Sequence, residues 1–174
     1  GNMFTPLSAE QIMARLPKRA VAVKRADKLP PLPAAYLSFV QQCESVEITP
    51  GIRLWDYPTA LGENRRLGSD YPDVAARYWL IGDAEQGDTW FIGKESGNIL
   101  FYDHDQGEYD EAGAQFADMG VGFVPFLQTA LLLQELEGLL DAQPELSQPI
   151  QDAFKTRMDT IAPGLYEQYP FAYW

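Results

Sequence analysis

Residues 101–111, "FYDHDQGEYDE", hold five carboxylates and the single histidine of the 174-residue chain. A run of this kind can bind a hard cation, carry acid–base chemistry or steer a basic partner. The EF-hand template asks for Asp at positions 1, 3 and 5, Gly at 6 and Glu at 12. With Asp103 as position 1, Asp105 fits position 3, but Gly107 falls at 5 and Ala114 at 12. The template fails, which leaves an irregular cation site from Asp103, Asp105 and Asp110 as the metal alternative. His104 is the one side chain whose ordinary pKa suits base catalysis near neutral pH. Strand alternation puts His104 on the face of Tyr102, opposite Asp103 and Asp105. A nucleophile for it would have to be Cys43 or a distant serine. The chain has no G-x-S-x-G, H-E-x-x-H or P-loop string.

The charge of the chain agrees with a partner surface more than with an enzyme. Net charge is −12, unevenly distributed. Up to Trp79 there are 10 Lys and Arg against 8 Asp and Glu; from Leu80 onward there are 3 against 17. So acidic a C-terminal half repels nucleic acid and anionic lipid and favours basic partners. No stretch of 18 apolar residues occurs, so no transmembrane helix is expected. One cysteine precludes an intrachain disulfide and a multi-cysteine metal cage. Gly1 and Asn2 ahead of Met3 read as a cloning remnant, and "GNMFTPLSAEQ" lacks the basic and apolar regions of a secretory leader. The expectation is a cytoplasmic protein with no cofactor.

The elements that must position the acidic run can be read by periodicity. "PLSAEQIMARLP" predicts a helix capped by Ser8, with Gln11 completing a capping box and Pro17 ending it. "KRAVAVKRADK" is a short strand or loop carrying five of the 13 basic residues. In "LPPLPAAYLSFVQQC" the prolines make a rigid lead-in, and Tyr36, Phe39, Val40 and Cys43 form one helical stripe. "VEITPGIRLWDY" predicts two short strands about Pro50-Gly51, and the segment after it a short helix or long loop. Runs 78–83, 88–94 and 98–103 are aromatic and β-branched, separated by Gly-containing turns, and predict an antiparallel meander. Trp55, Trp79 and Trp90 are expected to pack on it. "GVGFVPFLQTALLLQELEGLLDA" predicts an amphipathic helix with Phe123, Phe126, Leu127, Ala130, Leu131, Leu133 and Leu136 inward. A last helix follows Ser147 with Ile150, Phe154, Met158 and Ile161 in stripe, and the aromatic tail "LYEQYPFAYW" is expected to pack back on the domain.

The meander locates the acidic run. Its first and third strands rise to the same end, so the 83–88 turn and the segment from 103 emerge together. Asp83, Glu85, Asp88, Asp103, Asp105, Glu108, Asp110 and Glu111 would then share one rim. Tyr57 and Tyr109, in loop-like contexts, are the candidate aromatic anchors beside it.

"LPPLPAAYLSFVQQC", "IRLWDYPTALGEN", "YWLIGDAEQGDTWFIG", "GNILFYDHD" and "FVPFLQTALL", in this order across about residues 29–133, resemble the SUKH superfamily. That superfamily includes fungal cell-wall-synthesis regulators and bacterial immunity proteins. The chain departs from the common pattern with Cys43-Glu44-Ser45 after the first helix, where Asn-Gly is usual, and with Gly122-Phe123 where a Ser-Phe pair usually opens the final helix. The resemblance implies a non-enzymatic domain that binds proteins, in bacteria typically by blocking a toxin. The reading of the whole is a single α+β domain, mostly antiparallel, with a three-strand meander flanked by N-terminal and C-terminal helices. Its core spans about 29–141, with a helical extension over 142–174. The expected partner is a protein, in the leading case a basic toxin domain, rather than nucleic acid or membrane. A regulatory or scaffolding module of the same fold is the alternative, and a metal-dependent hydrolase using the acidic rim is the third.

Overall fold

A computed structural model describes residues 3–25 and 27–174. Six antiparallel strands form one sheet in sequence order: β1 (Val46–Thr49), β2 (Ile52–Leu54), β3 (Tyr78–Asp83), β4 (Thr89–Gly93), β5 (Ile99–Tyr102) and β6 (Ala117–Asp118). Strict strand alternation divides the meander between two layers. Trp79, Ile81, Trp90, Ile92, Ile99 and Phe101 enter the main core, while Leu80, Phe91, Leu100 and Tyr102 point the other way into a second cluster. This is a single-domain α+β fold, as the periodicity predicts.

The main core is covered by helices. Helix α1 (Ala9–Arg15) starts at Ser8, whose hydroxyl accepts from the Gln11 amide while the Gln11 side chain accepts from Ser8 N–H, completing the capping box. Helix α2 (Ala34–Gln42) follows the proline lead-in and buries Tyr36, Phe39 and Val40, with Cys43 buried just beyond its end. Trp79 Nε1 donates to the Tyr36 hydroxyl at 3.0 Å, so the largest polar atoms of this core satisfy one another. Basic segment 18–28 contributes a single isolated bridge, Lys18 to Cys43, among its described residues.

The second layer differs from expectation. The segment after β2 forms two helices, α3 (Tyr57–Asp70) and α4 (Pro72–Arg77), rather than one short helix or a loop. Asp56 caps the first by accepting from the Thr59 amide, and Asn64 fixes it to β3 by accepting from Leu80 N–H. These helices share the second cluster with Tyr109, Ala114 and Phe116 from the loop between β5 and β6.

Helix α5 (Phe123–Ala142) buries every residue predicted to face inward, and Thr129 and Leu132 besides. It packs among α1, α2, β1 and α6 (Gln148–Ile161); its first half leaves Val124, Pro125 and Gln128 only partly exposed, and fully exposed positions begin at Gln134 and Glu135. The tail does pack back. After the short α7 (Leu165–Gln168), Tyr169 is buried and stacks on Trp90, and Phe171 and Tyr173 lie half-buried on the main core. No helix among the described residues is long and apolar enough to cross a membrane.

Candidate functional site

The turn between β3 and β4 is closed by Ala84 N–H to Asp88 O and Gly87 N–H to Ala84 O. Gly87 takes φ +104°, a conformation that favours glycine. The turn leaves Asp88 one residue short of β4, buried at 4% exposure rather than within the strand. On the neighbouring strand, β5 stops at Tyr102 and residues His104–Gln106 coil into a 3-10 turn capped by the Asp103 side chain. The strand therefore does not continue through His104, which corrects the alternation expected there. The turn aims His104 back at the neighbouring hairpin. Asp88 Oδ1 accepts from His104 N–H at 2.9 Å and lies 2.5 Å from His104 Nδ1.

The meander thus brings the two acidic segments together, but it neutralises two of the carboxylates. Asp83 takes a bidentate contact from Arg53, at 2.8 and 2.9 Å, across the β2–β3 pair. Asp88 is held by His104. Neither is a free surface charge, which corrects the expectation of eight rim carboxylates open to a partner. Glu85, Asp103, Asp105, Glu108, Asp110 and Glu111 are exposed. Among the described residues, the ion pairs involving Lys or Arg are Arg53–Asp83 and Arg66–Glu63, so none of these six carboxylates forms a salt bridge with lysine or arginine, although Arg53 lies in the field of Glu85.

Glu85 aside, they form two groups. Asp103 and Asp105 flank His104, with Asp105 Oδ1 3.3 Å from Nε2, while Glu85 stands apart on the β3–β4 turn beside Pro50. Glu108, Asp110 and Glu111 ride on a loop that crosses the outer face of the sheet. Gln106 clamps that loop at its base: its amide nitrogen donates to Gln115 O and its amide oxygen accepts from Gln115 N–H. The Tyr102 hydroxyl donates to Glu108 O from below.

Tyr109 is less exposed than a loop position suggests. It packs edge-on against Tyr71, Phe91 and Tyr102, and its hydroxyl lies 3.0 Å from Thr89 Oγ1. Burial pushes its pKa up. Tyr57 opens helix α3 half-buried against the main core. Trp55 N–H already pairs with Ile81 O, so the chain has turned back from the rim before Tyr57 is reached. Both tyrosines are packed residues, and neither is the free anchor expected.

The chemistry available to His104 follows from its contacts. Its hydrogen bond to Asp88 raises its pKa, partial desolvation opposes this, and the charges of Asp88, Asp105 and Asp103 add to the rise. Its side-chain partners are these three carboxylates, and no hydroxyl or thiol among the described residues is bonded to it. Cys43 is buried in the main core, where desolvation pushes its thiol up and away from thiolate character. Asp88, Asp103 and His104 offer three ligand atoms within 4.8 Å of one another. The cation alternative therefore changes composition, with Asp88 and His104 in place of Asp105 and Asp110.

Sequence reasoning missed a further contribution to this rim. Glu137 of α5 and Phe171 and Tyr173 of the tail line a cleft with Glu85 and Asp88. Glu137 sits beside the apolar stripe of its helix with no local signal that it approaches the β3–β4 turn. No family model matches the chain, and no curated protein or solved structure matches it either.

Proposed function

We propose that this chain is a non-enzymatic protein-binding domain of the immunity type, which neutralises a basic toxin through its acidic surface. The observation that carries the reading is the set of six exposed carboxylates that form no salt bridge with lysine or arginine, mounted on a closed turn and a clamped loop. Clustered charge of one sign accelerates and orients docking of the opposite sign. The same array resembles a phosphate backbone in charge, so it suits a toxin whose cleft accepts nucleic acid. The ordered segments that resemble the SUKH superfamily support the same class of function.

The experiment is co-purification with the product of the neighbouring gene, washed across a range of salt. A complex that loosens as salt rises is the expected result. Charge reversal at Asp103, Asp105 and Asp110 should weaken that complex and flatten its salt dependence. Unchanged affinity in the reversed variant would remove the acidic surface from the interface.

A second reading rests on the grouping of Asp88, Asp103 and His104, which suits a metal-dependent hydrolase. Its test is thermal unfolding with micromolar Zn²⁺, Mn²⁺ or Ca²⁺. Binding to the native state raises the melting temperature, and a clear rise with any of these ions would favour this reading over the first.

A further inference from the structure

Between the β3–β4 turn and the C-terminal tail lies a cleft of about 170 Å³. Three carboxylates line it from two parts of the chain: Glu85 and Asp88 on the β3–β4 turn and Glu137 on α5. Phe171 and Tyr173 supply aromatic walls, and no lysine, arginine or histidine lines it. Gly51 lets the tail close on this side, because a Cβ there would stand 2.9 Å from the Phe171 ring.

The polar groups of the cleft are set and partly unused. The Tyr173 hydroxyl donates to Glu137 Oε2 at 3.1 Å, which holds one carboxylate in place and leaves its other oxygen without a hydrogen bond among the described residues. The Asp88 side chain is only 5% exposed. Both hydrogen bonds it accepts from His104 fall on Oδ1, and among the described residues Oδ2 accepts none. The Tyr169 hydroxyl is also without a hydrogen-bond partner, but it is fully buried and does not line the cleft.

We propose that this cleft is the socket for a single arginine side chain of the basic partner, an inference that rests on the acidic-surface reading above. Its volume is well below the roughly 300–1,000 Å³ of sites that enclose a small-molecule ligand, so one side chain suits it better than a free metabolite. Guanidinium matches the lining on two counts. Its fork of N–H donors satisfies separate carboxylate oxygens, and its flat face stacks on tyrosine or phenylalanine. A metal ion gains nothing from the aromatic walls, and Glu85 and Glu137 lie outside the compact ligand group of Asp88, Asp103 and His104.

The test is an amide NMR titration of the full chain with N-acetyl-arginine amide, run beside its neutral isostere N-acetyl-citrulline amide. The arginine probe should shift Gly51, Glu85 and Gln86 saturably, with citrulline at least about tenfold weaker. The pair Glu85→Gln and Glu137→Gln should weaken arginine by a similar factor, and the citrulline comparison holds whether or not that variant folds. Equal response to the two probes overturns the socket. So do shifts confined to residues 103–111, although that outcome leaves the acidic-surface reading standing. Silence from every residue also overturns it, whereas the acidic-surface reading falls only if co-purification and charge reversal fail.

Discussion

The two faces of the sheet are built on different terms. On one, Trp90 and its neighbours are sealed by helices with regular apolar stripes. On the other, Phe91, Leu100 and Tyr102 are sealed by two helices and a loop whose Tyr109, Ala114 and Phe116 are only partly buried. The first face carries most of the core, and its exposed carboxylates, such as Glu135, Asp141, Asp152 and Asp159, are spread along the covering helices. The second carries a smaller cluster and, on its covering loop, Glu108, Asp110 and Glu111. The loop carboxylates and the main core therefore lie on opposite sides of one set of strands, so surface chemistry on the loop can change with little cost to the core.

The sharpest way to break this contrast is truncation on each face. Trp90 is fully buried, in ring contact with Phe101, Phe126 and Tyr169, and its Nε1 donates to Gly51 O at 2.8 Å. Trp90→Ala should cost about 3–5 kcal/mol in denaturant unfolding. Phe116→Ala, half-buried on the loop side, should cost about 1–2 kcal/mol. Equal costs would mean that the loop is part of the folding core. A smaller effect is expected from Gln106→Ala, which removes both clamp bonds. Exposed hydrogen bonds of this kind contribute about 0.5–1.5 kcal/mol, and limited proteolysis should reveal earlier cutting within residues 107–114. Arg53→Ala should cost about 0.5–1 kcal/mol at most, because the pair it breaks is partly solvated on both sides (37% and 25% exposed) and screened by water.

The smallest expected effect is one of pH. Hydrogen bonding to Asp88 raises the His104 pKa above 6.5, so folding favours the protonated ring. The stabilisation from this pair is fully present below the unfolded pKa and is lost as pH rises through the raised folded value. The melting-temperature difference between the parent chain and His104→Gln should accordingly shrink as pH rises above about 6.5. By NMR, Asp88→Asn should lower the His104 titration midpoint. A midpoint unmoved by that substitution would mean that the pair does not set the histidine's charge.

Much of the helix-covered face was legible because its residues repeat. Ser8 with Gln11, the Tyr36–Phe39–Val40 stripe and the alternation of β3, β4 and β5 each follow from period and cap chemistry. The second layer was less so. Helix α3 spans "YPTALGENRRLGSD", whose two glycines and scattered polar residues obscure its periodicity, and its position is fixed by Asn64 reaching across to Leu80. Strand β6 is two exposed residues long, held to β5 by pairing that no local pattern encodes. At the rim, the meeting of the two acidic segments could be deduced from strand direction alone. Which carboxylates stay free could not, because Arg53 and His104 claim Asp83 and Asp88 through contacts set by register and by a turn that curls out of the strand. Glu137, Phe171 and Tyr173 arrive at the rim through the packing of α5 and the tail, a purely tertiary fact.

The reciprocal amide pair between Gln106 and Gln115 makes the residues between them a closed ring attached to the fold at its neck. Closure entropy changes by only about 0.6 kcal/mol for each doubling of loop length. A ring fastened at the neck, with Tyr109 and Ala114 as its inward pegs, is therefore a natural cassette. Its outward residues can be rewritten, shortened or lengthened as an interchangeable part, which makes it the place to graft new specificities onto an unchanged scaffold.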